Sequence, residues 1–326
     1  MNLKDQILSL LAAEKGSFVS GEELAAHLYV TRAAVWKSIK SLQAEGYTIT
    51  AVTNKGYALA ADTDLFTVAT VAEKLTGTAK KLRFIKHPLV TSTNAIVREL
   101  ADHGEAEGIV VMAEEQSAGR GRKSRGFFSP ANTGLYMSIL LRPKYSVADS
   151  LLLTTAAATA AALAIEAVTG KNAQIKWVND VYLDGRKVCG ILTEAALAME
   201  NGGLDYAVVG IGVNVFPPEG GFPPELATIA TSLFTDTKSK NGIKSQLAAE
   251  ILNHFIPYYK KLTEKAFLPE YRKRSFLLGQ KITVSRHNQE HTATAIAIDD
   301  HFRLIVRDEN GKEKALDSGE VSVHWK

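Results

Sequence analysis

The run Gly119-Arg120-Gly121-Arg122-Lys123-Ser124-Arg125 carries the densest chemistry in this chain. Glycine lets a backbone approach a ligand closely, and arginine presents a planar, permanently charged fork suited to phosphate. Four cations packed this closely repel one another until an anion arrives. The run therefore predicts a loop that is mobile when empty and closes over a polyphosphate. Taken alone, the same residues fit an RNA-binding Arg-Gly segment or a protease-sensitive surface loop equally well.

A second cluster is Lys176-Trp177-Val178-Asn179-Asp180, followed by Gly185-Arg186-Lys187-Val188-Cys189-Gly190-Ile191-Leu192. It reads as a strand ending near Lys176 and Trp177, a turn at Asn179-Asp180, and a returning strand that brings Lys187. Lysine is a compact cation for a carboxylate or an α-phosphate. Asp180 can hold that cation or a Mg²⁺ ion, which takes few carboxylates and leans on substrate phosphates. A surface hairpin with weak salt bridges is the plain alternative. Ser92-Thr93-Asn94 stands where a strand ends and a helix begins, so one of these residues is expected to cap the helix and the others to donate to a polar head group. Gly210-Ile211-Gly212-Val213-Asn214 puts glycines in a strand, which means close packing or room for a ligand. Cys189 has apolar neighbours and no activating base, the pattern of an inert buried thiol. The eight histidines show no metal-ligand spacing, and no Gly-x-x-x-x-Gly-Lys-Ser/Thr run occurs, so any ATP is bound by another scheme.

These residues need a scaffold. With 326 residues, 46% hydrophobic and 22% charged, the chain has the composition of a globular protein of two or three domains. A net charge of +3 does not mark the whole chain as a nucleic-acid binder. One cysteine excludes an intramolecular disulfide framework and points to a reducing, cytoplasmic compartment. The apolar run Leu151 to Ile165 falls short of the roughly 20 residues of a membrane span and is expected to be a buried helix. Uninterrupted apolar strands at Gly108–Met112 and Ala207–Gly212, with helices near Asn94–His103, Ser150–Thr169 and Ser245–Lys261, give a mixed central domain over residues 66–268. The Pro/Gly-rich stretch Phe216 to Pro224 is expected to be a loop. Short strands at Ile282–Val284, Thr292–Ile298, Leu304–Arg307 and Val321–His324 suggest a small barrel over residues 275–326.

Residues 1–62 read as three helices and a hairpin. Leu3, Ile7, Leu10 and Leu11 recur at helical spacing before Gly16. Ser20 and Glu23 are placed for a capping box, and Thr31 to cap a third helix with Val35, Ile39 and Leu42 buried. Strands at Tyr47–Thr53 and Gly56–Leu59 flank Asn54-Lys55. This is the helix-turn-helix-plus-wing layout. The third helix would present Thr31, Arg32, Lys37 and Lys40 to base edges and phosphates, and the tip Asn54-Lys55-Gly56 would touch the backbone or minor groove. Ordinary solvated charge is the competing reading, which the segment's near-balanced charge supports, but the ordered sequence of caps and strands favours DNA binding. Trp36 is expected to pack against a neighbouring helix or domain.

Taken in order, Ser92-Thr93-Asn94, Gln116 with Gly119 to Arg125, Lys176–Asp180, Lys187–Leu192 and Gly210–Asn214 resemble the bacterial biotin–protein ligases; with the preceding winged helix, the resemblance is to members that also repress the biotin operon. It spans essentially the whole chain. The resemblance implies an α+β fold: a winged helix, a central mixed sheet like that of class II aminoacyl-tRNA synthetases, and a C-terminal SH3-like barrel. Ser92, Thr93, Asn94, Gln116 and Gly190 would line the biotin pocket. Arg120, Gly121 and Arg122 would close over biotin and phosphates, and Lys187 would hold the biotin carboxylate against the α-phosphate. Arg122, Arg125, Lys176, Asn179 and Asn214 would serve the nucleotide, with the 216–224 stretch folding over the adenylate. The implied reaction joins biotin and Mg·ATP into biotinyl-5′-adenylate, then transfers biotin to a lysine of biotin carboxyl carrier protein, with Asp180 as the base. An adenylate-bound homodimer would bind operator DNA. Val178, Gly126, Phe127 and Lys123-Ser124 depart from the residues many members carry, which bears on loop closure and adenylate retention. A ligand-sensing repressor without catalysis and a lipoate-type ligase are the rival readings.

Overall fold

A computed structural model of the chain describes residues 3–44, 47–61, 63–144, 150–197, 203–236, 242–286, 289–317 and 320–323. The far end of the last expected strand, at residue 324, lies outside them. The chain divides into two units, one of Met1–Leu75 with Asp236–Ala249 and one of Thr76–Thr235 with Glu250–Lys326.

In the first unit, α1 (Leu3–Ala13), α2 (Gly21–His27) and α3 (Arg32–Ala44) precede the hairpin β1 (Ile49–Val52) and β2 (Gly56–Leu59). The 3.6-residue period puts Ile7, Leu8 and Leu11 of α1 and Val35, Ile39 and Leu42 of α3 into one core with Leu24, Ile49 and Leu59. Thr31 Oγ1 accepts from the Ala34 amide at 3.2 Å, as the sequence predicts. Ser20 accepts from the Glu23 amide, but the Glu23 side chain does not return the second bond, so the capping box is half made. Gly56 has φ +103°, and a Cβ there would lie 2.1 Å from the Val19 carbonyl oxygen. Only glycine lets the hairpin lie against Val19, whose backbone exchanges two 2.9 Å hydrogen bonds with Tyr57. The expected boundary at residue 62 falls inside this unit. Leu65 belongs to its core, and Ser245, at the start of α8 (Ile243–Lys260), donates to the Leu65 carbonyl at 2.7 Å. The short helix α4 (Val68–Ala72), which periodicity did not mark, carries Thr70, whose hydroxyl is 2.8 Å from that of Ser245.

The second unit is built on β3 (Arg83–Val90), β4 (Ile109–Gln116), β5 (Gly134–Leu141), β6 (Gln174–Lys176), β7 (Asp180–Leu183), β8 (Arg186–Leu197) and β9 (Leu204–Asn214). Their order is β3-β4-β5-β9-β8-β7-β6. Only β3 and β4, joined through α5 (Thr93–Asp102), run parallel. Neighbouring residues of a strand point to opposite faces. Thr193 hydrogen-bonds Thr154 of α6 (Ser150–Thr169), and Glu194 accepts from Asn94 of α5, so the two helices cover opposite faces of the sheet. Helix α6 is apolar on all sides because it is buried on most of them; by length and composition it is the one helix among the described residues able to cross a membrane, and 67% of it is buried. The 216–224 stretch is a loop only to Pro223, because α7 (Pro224–Ala227) starts there with proline in its first turn. After α9 (Leu268–Arg274), β10 (Lys281–Arg286), β11 (Gln289–Ile298), β12 (Leu304–Arg307), β13 (Glu313–Leu316) and β14 (Glu320–Val323) form an antiparallel sheet in the order β13-β12-β11-β10-β14.

Candidate active site

The sheet face that bears α5 also bears a cavity of about 360 Å³, and every residue assigned to biotin, nucleotide or catalysis from the sequence lines it. Its polar wall is the start of α5. Ser92 holds the N-cap position, as one of the three residues was expected to, but makes no side-chain cap bond. Gln116 Oε1 of β4 accepts instead from the first-turn amide of Thr93 at 2.8 Å, so the next strand satisfies one of the helix's free donors. Gln116 Nε2 in turn donates to Ser129 Oγ at 3.0 Å. Asn94 is committed to the protein: its amide donates to Glu194 at 2.7 Å, and Ser138 donates to its carbonyl oxygen at 2.6 Å.

The floor is made of glycine. Gly190 of β8 and Gly212 of β9 are register partners, and the Phe127 ring lies over both. A Cβ on Gly212 would sit 2.6 Å from Phe127 Cε1; one on Gly190 would meet Lys187 Nζ at 3.2 Å and Phe127 at 3.4 Å. Phe127 packs edge-on against Tyr136, with ring centroids 6.4 Å apart.

The opposite end is cationic. Five cations, Arg120, Arg122, Arg125, Lys176 and Lys187, line the cavity against one carboxylate among its described residues, Asp180. Such an excess focuses a positive potential into the cleft and favours an anion. The Arg-Gly run, expected to be mobile when empty, is folded back on itself here: the Gly121 amide donates to the Arg125 carbonyl at 2.7 Å and the Phe127 amide to that of Gly119 at 2.8 Å, with Lys123 at φ +54°. Asn179 ties this loop to the sheet. Its carbonyl oxygen accepts from Arg122 Nη1 at 3.0 Å and its amide donates to the Ile191 carbonyl at 2.9 Å. Arg120 Nη1 lies 3.6 Å from Glu194. Lys187 Nζ and Asp180 Oδ1 are 2.7 Å apart, an ion pair by distance that lacks hydrogen-bond direction and leaves this buried oxygen without a hydrogen-bond partner. Lys176 Nζ stands 5.8 Å above the Tyr182 ring. Asn214 donates to the Thr231 carbonyl at 3.2 Å. Burial pushes the Cys189 thiol well up from its ordinary range, which agrees with the inert thiol read from its neighbours.

Sequence reasoning passed over several lining residues, Phe128, Leu226, Ile229 and Ser322, and the part played by Phe127 and Trp177, while Phe222 comes from the 216–224 stretch expected to fold over the site. Phe128 and Phe222 meet edge-on at 6.5 Å. The aromatic pair directly after the Arg-Gly run was a usable signal; Ser322, arriving on β14, had none. The 176–179 turn is held from behind, where Trp177 Nε1 donates to the Phe302 carbonyl at 2.9 Å and the Tyr271 hydroxyl to that of Val178 at 3.1 Å.

In the first unit, Thr31, Arg32, Lys37, Lys40, Asn54 and Lys55 are all exposed, with Arg32, Lys37 and Lys40 on α3. Asn54 adopts φ +65° at the hairpin tip, and Lys55 Nζ is 6.0 Å from the Phe18 ring centroid. Trp36 flanks the buried stripe of α3 and is 55% exposed, so within its own unit it is not packed away.

Comparison with known proteins places these features. Residues 87–214 match the model of the biotin/lipoate A/B protein ligase family, residues 4–58 that of an HTH domain, and residues 277–323 that of the biotin protein ligase C-terminal domain. The chain is 32% identical to the bifunctional ligase/repressor BirA of Bacillus subtilis (strain 168) over 315 residues, covering 96% of each chain. It is 33% identical over 211 residues to the protein of that name in Escherichia coli (strain K12), covering 64% of this chain and 63% of that one. Among solved structures, the biotin protein ligase from Aquifex aeolicus in complex with biotin and ATP superposes with a TM-score of 0.60 at 27% identity, over 75% of this chain and 99% of that one.

Proposed function

The chain belongs to the bifunctional biotin ligase/repressor family, and from that premise we propose how its residues divide the work. It ligates biotin in an ATP-dependent reaction and represses transcription through its HTH domain. The observation that carries the assignment of the site is the cavity itself, with a glycine floor and polar wall at one end and five cations at the other. We assign biotin to the first end, with its ureido head against Ser92, Thr93 and Gln116, and the nucleotide to the second.

In this reading Lys187 holds the biotin carboxylate against the α-phosphate while Arg122, Arg125 and Lys176 neutralise the nucleotide. A carboxylate oxygen attacks phosphorus, and pyrophosphate leaves. Both partners are anions, so fixed cations lower the barrier most where they meet. Asn179 positions Arg122 for this through the 3.0 Å bond. In the second step the acceptor lysine's amine attacks the acyl carbon and AMP leaves. Asp180 takes the proton. Mg²⁺, where it accompanies the nucleotide, would be held by the phosphates and by Asp180, the one carboxylate among the described lining residues, whose buried Oδ1 accepts no hydrogen bond. Its chemistry when bound is to offset phosphate charge.

The same reading takes the acceptor to be biotin carboxyl carrier protein, the central sheet to be class II synthetase-like, the C-terminal sheet to be an SH3-like barrel, and the location to be cytoplasmic. It divides the labour as residues 1–62 for DNA, 66–268 for catalysis and 275–326 for the barrel. Adenylate-bound chains pair as homodimers on operator DNA, because two half-sites bind tighter than one. The test is pyrophosphate release with biotin and Mg·ATP, run beside sedimentation and DNA titration. We expect release to need both substrates, and dimerisation and DNA affinity to rise together only when both are present. Release without biotin would overturn the assignment of the site.

A further inference from the structure

The first unit separates its charge. Residues 3–28 hold Asp5, Glu14, Glu22 and Glu23 against Lys4 and Lys15, whereas residues 29–60 hold Arg32, Lys37, Lys40 and Lys55 against one carboxylate, Glu45. The near-balanced charge of the whole segment hides this. Arg32, Lys37 and Lys40 have exposed side chains that make no ion pair among the described residues. At 100° per residue Ala33, Lys37 and Lys40 lie away from the buried Val35, Ile39 and Leu42, and Arg32 and Trp36 lie on the flank toward Ile39, all five exposed. Trp36, 55% exposed, stands between Arg32 and Lys40 on this cationic side of the helix.

An exposed indole gives up a large burial, and such a residue marks a contact surface. The cations around it fit a polyanion. The major groove of duplex DNA offers one apolar group on its floor, the thymine 5-methyl. We infer that Trp36 is a specificity-determining residue that packs its ring on thymine methyl groups while Arg32, Lys37 and Lys40 take the flanking phosphates. The inference rests on the repressor function given above. It adds which base is read and by which side chain.

Replacing thymine by uracil removes only that methyl and leaves every hydrogen-bonding group. The experiment uses full-length protein with biotin and Mg·ATP, and duplexes that it selects from a randomised pool. Each thymine of the selected site is then changed to uracil in turn, and affinity is read by fluorescence anisotropy. For wild type, one or two positions per half-site should weaken binding about fourfold, the ~0.8 kcal/mol of one buried methyl-sized group at 1.4 kcal/mol per tenfold. Trp36→Ala should lose about tenfold on the thymine duplex and no longer tell thymine from uracil. Lys40→Gln should weaken both duplexes equally and keep the wild-type ratio between them, as a phosphate contact does. Unfolding curves of Trp36→Ala matching wild type would separate lost contact from lost fold. Wild type indifferent to uracil at every position, or Trp36→Ala with an unchanged thymine-to-uracil ratio, would overturn the inference and leave DNA binding standing. Failure to select any duplex would overturn both.

Discussion

Alanine in place of Gly212 should close part of the pocket that we assign to biotin without touching a polar group. The new Cβ would stand 2.6 Å from Phe127 Cε1 and 2.8 Å from Cζ, where ordinary contact begins at 3.4 Å. The ring has to move by the difference, and its edge-on contact with Tyr136 limits where it can go. Forcing a methyl group into packed space costs about 1–3 kcal/mol, which as a change in binding constant is roughly 5- to 150-fold. Gly190→Ala should do less, because the nearest atom there is the flexible end of Lys187 at 3.2 Å. Calorimetric titration with biotin measures both variants, and thermal unfolding shows how much of the strain falls on the fold instead. Adding Phe127→Leu to Gly212→Ala should recover affinity, since a smaller, rotatable side chain makes room for the methyl. Wild-type biotin affinity in Gly212→Ala, or no recovery in the double variant, would refute the reasoning that the ring lies on the glycine floor.

Three further outcomes follow from the geometry. Arg122→Ala and Lys187→Ala should each slow biotin-dependent pyrophosphate release by about 10²–10³-fold, the usual loss when one preorganised donor to a developing charge is removed; stopped-flow assays with near-normal rates would remove both residues from the chemistry. Glu194→Gln keeps an acceptor for Asn94 but loses the charge beside Arg120, so adenylate should dissociate several-fold faster with little change in melting temperature; an unaltered dissociation rate would make Glu194 a packing residue only. Burial pushes the Glu107 carboxyl up, but hydrogen bonds from Lys260, Tyr259 and the Arg142 amide outweigh it and hold the group below its ordinary range. A lowered folded-state value stabilises the fold above the unfolded carboxyl value of about 4.3 and loses that stabilisation as pH falls through the folded one. Glu107→Gln should thus melt lower than wild type at pH 7, by a gap that narrows as pH falls below the unfolded value, and a constant gap would contradict the sign.

Helix α6 was legible to the residue because an Ala- and Leu-rich run of that length has only a buried helix to form, and Thr31 could be read as a cap because the cap bond is local. The lining residues of the motifs were legible for the same reason: glycines, cations and amides fall within short runs that each end on one sheet face. What pattern could not supply was long-range partnership. Gln116 satisfies a first-turn amide of α5 from the adjacent strand, Ser322 comes from the far end of the chain, and Leu65 and Ser245 complete the first unit across the whole central sheet. Trp36 shows the opposite limit. Its position on α3 follows from helical period alone, at the flank of the buried stripe, but how much of an aromatic ring there stays exposed depends on neighbours that the period does not give.

The first unit is written in two instalments, residues up to Leu75 and then Asp236–Ala249. As the ribosome makes the chain, α1 to β2 emerge early, yet the Leu65 carbonyl waits for Ser245 and Asp64 for Lys244 until residues 76–235 have also been synthesised. At about 5–20 residues per second, that delay is on the order of ten to thirty seconds. A nascent or prematurely terminated chain that stops before residue 243 holds α3 but not the segment that finishes its unit. The unit that carries the HTH domain is therefore completed only after the central sheet of the other unit has been translated.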